Sequence, residues 1–341
     1  MLLVNRVRRS LAVVAAAAVL TVTAPACTGG GGERITVYSG RSSELIKPLL
    51  DRFAEQTGIS VDFKTGDSAE LALLIEQEGD RSPADVFLSQ SPGAMGYLEG
   101  LGRLRPLPVD ILERVAPENH GSNGTWVGMS GRLRVLVYNT DLVDEATLPA
   151  SVFDLTRPEY AGKVAVAPQN GSFQDFITAM RLQLGDDVAR SWLEGMAAND
   201  APTYANNVAI VAAVGRGEVP YGLANHYYNV RAKAEDPSVP SANHIFPNGD
   251  VGSLLMLASA GVLRSARNPG AAEELVRFLL SEEAQRYFAE QTYEYPLAAG
   301  VQPAGDLPPL SSLDVDRVDF DDLGGGLART LELIEASGLG D

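Results

Sequence analysis

Residues 34–66 read "RITVYSGRSSELIKPLLDRFAEQTGISVDFKTG", and this stretch decides the fold. "RITVYSG" (34–40) has the β-branched and aromatic content of a strand ending in a turn. "SELIKPLLDRFAEQTG" (43–58) carries apolar residues at helical spacing and closes on Gly58, and "SVDFKTG" (60–66) is a second strand. A further helix at 69–80, "AELALLIEQEGD", and a strand at 84–90, "ADVFLSQ", complete βαβαβ. That order predicts a parallel sheet with covering helices.

The pattern restarts downstream. "GRLRVLVYNT" (131–140) and "GKVAVAPQNGSF" (162–173) supply new strands, and "VAIVAAVGRGEVPYGLANHYY" (208–228) runs helix then strand. "GSLLMLASAGVL" (252–263) reads as a strand, "NPGAAEELVRFLLSEEAQRYFAEQ" (268–291) as one helix with Pro269 at its start, and 324–337 as a closing helix. There is no tandem repeat. The fold class expected is α/β, with about 310 residues after the leader, enough for two domains.

The first residues set the compartment. Arg6, Arg8 and Arg9 precede an uncharged run (11–24) too short to span a bilayer comfortably, and "APAC" ends at Cys27, the only cysteine. This resembles a bacterial lipoprotein signal, which would remove residues 1–26 and leave Cys27 lipidated, followed by a Gly-rich tether over 27–33. An ordinary signal peptide with an incidental cysteine is the other reading. With one cysteine no intrachain disulfide forms. The whole chain carries a net charge of −17. Without the leader it holds 24 basic against 44 acidic residues, net −20, a balance that repels nucleic acid and anionic lipid.

Within 208–228 the adjacent Tyr227 and Tyr228 stand out. On a strand they would leave opposite faces. In the first turn of a helix both phenols can reach one point. One core and one surface tyrosine is the plainer alternative. The turn "APQNGSF" places Asn170, Gly171 and Ser172 just before a helical run, where free N–H groups face an anion, although a cap without a ligand has the same sequence.

Seven segments together resemble the extracytoplasmic ferric-iron-binding proteins of bacterial ABC importers, within the two-lobed periplasmic-binding-protein class. They are "ITVYSGR", "GDRSPADVFLSQSPGAMGYLEGLG", "SGRLRVLVYN", "FDLTRPEYAGKVAVAPQNGSF", "NNVAIVAAVGRGEVPYGLANHYY", "RNPGAAEELVRFLLSEEAQ" and "YEYPL", spread over residues 35 to about 297. The resemblance implies two α/β lobes, each a mixed sheet flanked by helices, with the ligand in the cleft between them. Lobe 1 would comprise 34–131 and 251–300, lobe 2 132–250, and the tail 301–341.

It also implies Tyr227 and Tyr228 as Fe³⁺ ligands, and Asn170, Gly171 and Ser172 as holders of a synergistic anion, whether phosphate, carbonate or citrate. Asn207 and Asn225 would bind the anion or orient the site, and Arg132 would pair with it; a surface arginine, or Arg134 in that role, is the alternative. Ferric iron is a hard cation that suits phenolate, and two phenolates cancel two of its three charges. The sequence departs from the family at Ser42, where His or Tyr is usual, and at Gln90, where Glu is usual. Ser91 follows, Arg41 precedes, and Phe173 stands where some members carry a third tyrosine. The first-lobe residues Ser42, Arg41, Gln90 and Ser91 are cleft candidates but weak ligands, so an anion or a ferric chelate must complete the shell.

The expected role is capture of ferric iron outside the cytoplasmic membrane by a monomer that delivers it to an ABC permease. The same fold also binds thiamine, polyamine, other small organic solutes and oxyanions; polyamine would want carboxylates in the cleft loops, which look poor in them. An enzyme is not expected: no G-x-S-x-G elbow is present, and "NGSF" lacks the second glycine. "DFDD" (319–322) reads as a solvated acidic cluster. His120, His226 and His244 show no metal-ligand spacing and are read as surface or structural.

Overall fold

The computed structural model describes residues 33–90, 92–305, 307–316, 318 and 326–339. The leader, Cys27, Ser91 and the 319–322 cluster lie outside these residues.

The amino-terminal pattern folds as its sequence predicts. Strand β1 (Arg34–Ser39), helix α1 (Ser43–Thr57), β2 (Ser60–Thr65), α2 (Ser68–Glu78) and β3 (Val86–Ser89) form the first unit. β1 lies between β2 and β3, parallel to both. α1 buries Ile46, Leu49, Leu50 and Phe53, one stripe at helical spacing, against this sheet. It stops at Gly58, whose φ of 75° is the left-handed cap that glycine adopts without strain. α2 starts at Asp67, whose carboxylate accepts from the Ala69 and Glu70 amides.

Helices α3 (Pro92–Gly100) and α4 (Val109–Leu112) lead to β4 (Trp126–Asn139), a 14-residue strand buried along its whole length. Then come β5 (Val164–Ala165), α5 (Gly171–Leu184), α6 (Asp186–Ala198), α7 (Asn207–Gly215), β6 (Tyr221–Asn225), α8 (His226–Glu235), β7 (Ser241–His244) and β8 (Leu255–Val262). The chain finishes with α9 (Pro269–Leu279), α10 (Glu282–Glu290), β9 (Tyr295–Pro296) and α11 (Leu327–Ala336).

β4 organises the molecule. Its first part, through Leu133, pairs antiparallel with β8, which in turn pairs with β3. From Arg134 onward it pairs with β6 on one edge and, from Leu136, with β7 on the other. One strand therefore belongs to two sheet halves, and the junction that the sequence placed at 131/132 falls inside it. The strand begins at Trp126, earlier than the glycine-marked start at 131, because a bulge at Met129 absorbs the irregularity without ending the pairing.

The stretch expected as one helix at 268–291 is two. The break falls at Leu280–Ser281, where the Ser281 hydroxyl accepts from the Ala284 amide and Glu282 and Glu283 fill the new first turn. The closing helix, expected at 324–337, spans Leu327–Ala336 among the described residues.

Candidate functional site

The C-terminal ends of the parallel strands and the starts of several helices face one polar cavity of about 220 Å³. On the first side stand Gly40 after β1, Asp67 to Ala69 opening α2, and Gln90 after β3. On the other stand Asn170 to Ser172 and Asp175 opening α5, Asn207 opening α7, and Asn225 with Tyr228 at the β6–α8 junction. Arg132 reaches in from β4, and Leu327 of α11 touches the rim. Loop residues beyond strand carboxyl ends are where open α/β sheets bind ligands, and helix N-termini present unpaired N–H groups there.

Both tyrosines fall at the β6–α8 junction. Asn225 ends β6 and α8 begins at His226, so both fall in the first helical turn. Their rings stack with centroids 4.1 Å apart and planes 30° apart. Tyr228 lines the cavity, while Tyr227 lies behind it, 2% exposed. Burial pushes the Tyr227 phenol well above its ordinary 10, and Tyr228 beside it adds to the rise; Arg132 pulls the other way. Without a cation this phenol stays protonated. A trivalent ion bound to it reverses that preference.

The anion candidates also come together. Asn170 caps α5, its Oδ1 accepting from the Ser172 amide at 3.1 Å and from the Ser172 hydroxyl at 2.6 Å. Asn207 Nδ2 donates to Asn170 Oδ1 and to Ser172 Oγ at 3.1 and 3.0 Å. Neither arginine is a surface residue: Arg132 is 3% exposed and Arg134 fully buried. Arg132 donates to the Gln90 carbonyl, which ties the shared strand to the first wall. Arg134 donates to Ser172 Oγ and the Leu223 carbonyl, with its guanidinium over Phe173 and Phe176. Burial pulls its pKa down to about 9, against the opposing charge of Asp175. Four buried polar atoms of these wall residues have no protein partner: Arg132 Nε, Gln90 Oε1, Asn207 Oδ1 and Asn225 Oδ1. Orphaned buried polar atoms on residues that line one polar cavity are consistent with a polar occupant.

The first-lobe candidates divide. Gln90 lines the cavity. Ser42 does not: it is exposed at the start of α1 and makes no capping bond. Arg41 does not either, because its guanidinium turns inward to Glu294 at 2.7 Å, with Ser130 and the Phe288 ring beside it. The tight turn that does reach the cavity is Gly40, where a Cβ would stand 1.8 Å from Ser68 Oγ. Phe173, where some members carry a tyrosine, is fully buried against Trp192 and Phe176.

The cavity is richer in carboxylates than its loops suggested. Asp67 and Asp175 both belong to its wall. Asp67 was legible as the cap in "GDSAE" after a parallel strand, the place where such folds keep site residues. Leu327 had no signal, since only the packing of α11 on α5 brings it here. Among the described residues no group of three or more His, Cys, Asp or Glu gathers as a metal site. The histidines are structural. His226 is buried, with Nδ1 accepting the Leu133 amide at 3.0 Å and Nε2 against the Tyr293 carbonyl at 2.9 Å. His244 contacts the Pro149 carbonyl, and His120 the Gly121 carbonyl.

A polar cavity between two sheet halves that share a strand, walled by helix N-termini, defines a two-lobed solute-binding protein. The chain belongs to the family of bacterial extracellular solute-binding proteins, whose model matches residues 81–323. It is 30% identical to the Fe(3+)-binding periplasmic protein of Serratia marcescens over 332 residues, 96% of this chain and 97% of that one. It is 33% identical to the major ferric iron-binding protein of Neisseria meningitidis over 307 residues, 89% and 91% of the two chains. Iron-bound HitA from Pseudomonas aeruginosa superposes with a TM-score of 0.83 at 36% identity, covering 90% of this chain and all of that one. The Trichodesmium protein solved with iron and citrate gives 0.79 at 30% identity, covering 89% and 99%.

Proposed function

We propose that this protein captures ferric iron with an oxyanion, or as a ferric chelate, outside the cytoplasmic membrane and delivers it to the permease of an ABC importer. The observation that carries this is the stacked Tyr227–Tyr228 pair beside a polar cavity whose wall gathers Asn170, Ser172, Asn207 and Arg132. Tyr227 and Tyr228 bind the metal as phenolates. Asn170, Gly171, Ser172, Asn207, Asn225 and Arg132 receive the anion, which fills the positions that two phenolates leave open. The ferric-binding relatives, similar over nearly the whole chain, support the same cargo.

In this reading the lobes are 34–131 with 251–300, and 132–250, followed by the tail 301–341. The protein acts as a monomer without catalysis of its own, held at the membrane by lipid on Cys27. Among the described residues no helix is long and apolar enough to cross a membrane. The test is direct: purified protein given Fe³⁺ and phosphate develops a visible phenolate-to-iron absorption band and retains iron by elemental analysis. A colourless protein that retains no iron sinks the proposal.

A further inference from the structure

The helix that carries the tyrosines begins without a cap of its own. Asn225, at the N-cap of α8, makes no side-chain bond to the first turn. What holds that turn is the imidazole of the first helical residue, His226, which is 1% exposed. Its Nδ1 lies 3.0 Å from the Leu133 amide and its Nε2 2.9 Å from the Tyr293 carbonyl. An amide N–H can only donate and a carbonyl can only accept. The ring is therefore neutral, with its one proton on Nε2, and both nitrogens are spent.

The two partners belong to the other half of the sheet. Leu133 is the last residue of β4 paired with β8, and Arg134, next along, is the first paired with β6, the strand that leads into α8. Tyr293 precedes β9, which pairs with β4 at Ser130 and Gly131. Its φ of 57° lies in the left-handed region that few tyrosines enter. The amides on either side of it, Thr292 and Glu294, bond back to the Tyr287 and Phe288 carbonyls of α10, which fixes the course of this turn. Tyr295 of β9 sets its ring 4.8 Å from the imidazole. One side chain of the second half is thus fastened to two points of the first, where β4 passes from one to the other.

The residue after this fastening is Tyr227. Its ring stands edge-on to the imidazole at 5.9 Å and stacks on Tyr228 at 4.1 Å. Side-chain directions in a helical turn are set by the backbone, so a roll of the first turn swings both phenols together. We propose that His226 is the positioning residue of the tyrosine pair: its two bonds set the roll of the first turn of α8, and with it the place of both phenols against the first wall of the cavity. Arg132, one residue before Leu133, bonds the Gln90 carbonyl, so the phenols and that wall are referred to the same stretch of β4. The proposal rests on the ferric-iron reading for the metal, but the positioning belongs to the chain without it. Groups that orient metal ligands are ordinarily worth about 10–100-fold in metal affinity.

Two substitutions in the full chain separate the bonds from the ring. His226→Phe keeps an aromatic ring and loses both bonds, whereas His226→Gln offers an acceptor oxygen and a donor nitrogen on one amide. In the metal-free chain the stacked phenols are followed by near-ultraviolet circular dichroism, taking the part of the signal that Tyr228→Phe removes. His226→Phe is expected to lose that part with the far-ultraviolet spectrum unchanged. Given Fe³⁺ and phosphate, it should show a displaced visible band and bind iron about 10–100-fold more weakly in competition with a chelator. His226→Gln should restore the dichroism, the band position and the affinity. A merely structural residue would lower the unfolding midpoint and leave these three readouts of the folded chain where they were, and that result overturns the proposal. So does a His226→Gln variant that behaves like His226→Phe. Should His226→Phe not fold, His226→Asn, which reaches one partner at most, takes its place. If neither folds, the role is structural and the proposal falls. No visible band from wild type in any buffer refutes iron as cargo, while the dichroism of the metal-free chain still decides the positioning.

Discussion

Arg41 donates to Glu294 across 2.7 Å, with both side chains fully out of solvent. The pair joins the loop after β1 to the segment entering β9, and Ser130 of β4 also donates to the same carboxylate oxygen at 2.9 Å. Burial would raise the Glu294 pKa, but the charge and hydrogen bond of Arg41, with Arg132 and Ser130 behind them, outweigh it and hold it below its ordinary 4.5. Removing one partner strands a buried charge. Glu294→Gln is expected to destabilise the fold by about 3–5 kcal/mol, measured by chemical denaturation, whereas a joint Arg41→Met, Glu294→Leu replacement should lose less. The depressed pKa gives stability that is present above about 4.5 and lost as pH falls through the folded value. Equal losses in the single and double variants would argue against the pairing.

His226 should govern a separate, milder acid window. Burial lowers its pKa from 6.5 to about 4, although the Tyr293 carbonyl and Glu294 favour the proton. The unfolded chain takes up that proton first, so stability is complete above 6.5 and declines as pH falls toward 4. A shift of this size is worth about 3 kcal/mol. Thermal midpoints measured across this range should fall in wild type and flatten in His226→Asn. A flat wild-type profile would place the imidazole elsewhere.

Iron uptake should release protons. Tyr227 is held protonated by burial, so metal must displace a proton from it, and each phenol that binds adds one. Affinity should rise steeply with pH, by up to about a hundredfold per unit if both phenols ionise onto the metal. Replacing Tyr227 and Tyr228 with Phe removes only hydroxyls and should abolish the band with the circular dichroism unchanged. Iron retained at wild-type affinity by that variant would show that the ligands lie elsewhere.

Anion dependence should be strong and adjustable from the first wall. Gln90 lines the cavity with an orphaned carbonyl oxygen, so Gln90→Glu offers iron a carboxylate without changing size. That variant should hold Fe³⁺ in anion-free buffer at least about tenfold better than wild type. Ser42→His should not, since Ser42 is exposed and outside the cavity wall. Competition titrations with a chelator, with and without phosphate, compare the three proteins. A gain from Ser42→His would mean that the loop after β1 swings into the site.

Much of this was legible because the signals were local. Residues 34–66 carried strand, stripe and Gly58 cap within their own window. The tyrosine pair stayed open in the sequence between a helix start and one core plus one surface residue, and the structure ends β6 at Asn225 and starts α8 at His226. What escaped was non-local. The alternation of Ser130, Arg132 and Arg134 along one strand face emerges only when the glycines at 128 and 131 prove to be inside a paired strand. The inward turn of Arg41 depends on Glu294, 253 residues away, which no neighbouring residue foretells. Asp67 reads as a helix cap in sequence, and being a cap does not reveal which cavity it borders. The 268–291 break was readable in "LLSEEAQ" but was masked by apolar periodicity running through it.

β4 also sets where this chain can tolerate change in length. Arg132 bonds the carbonyl of Gln90 on one wall, and Arg134, two residues on, bonds Ser172 on the other. Because strand side chains alternate, adding or deleting a single residue between them would turn one guanidinium to the opposite face and separate the walls chemically while leaving the backbone pairing repairable. Indels of one residue here should extinguish binding without extinguishing expression, whereas the exposed turn at 236–238 should accept them freely. The reading frame of one strand, more than any hinge loop, keeps the two halves of the site addressed to the same cargo.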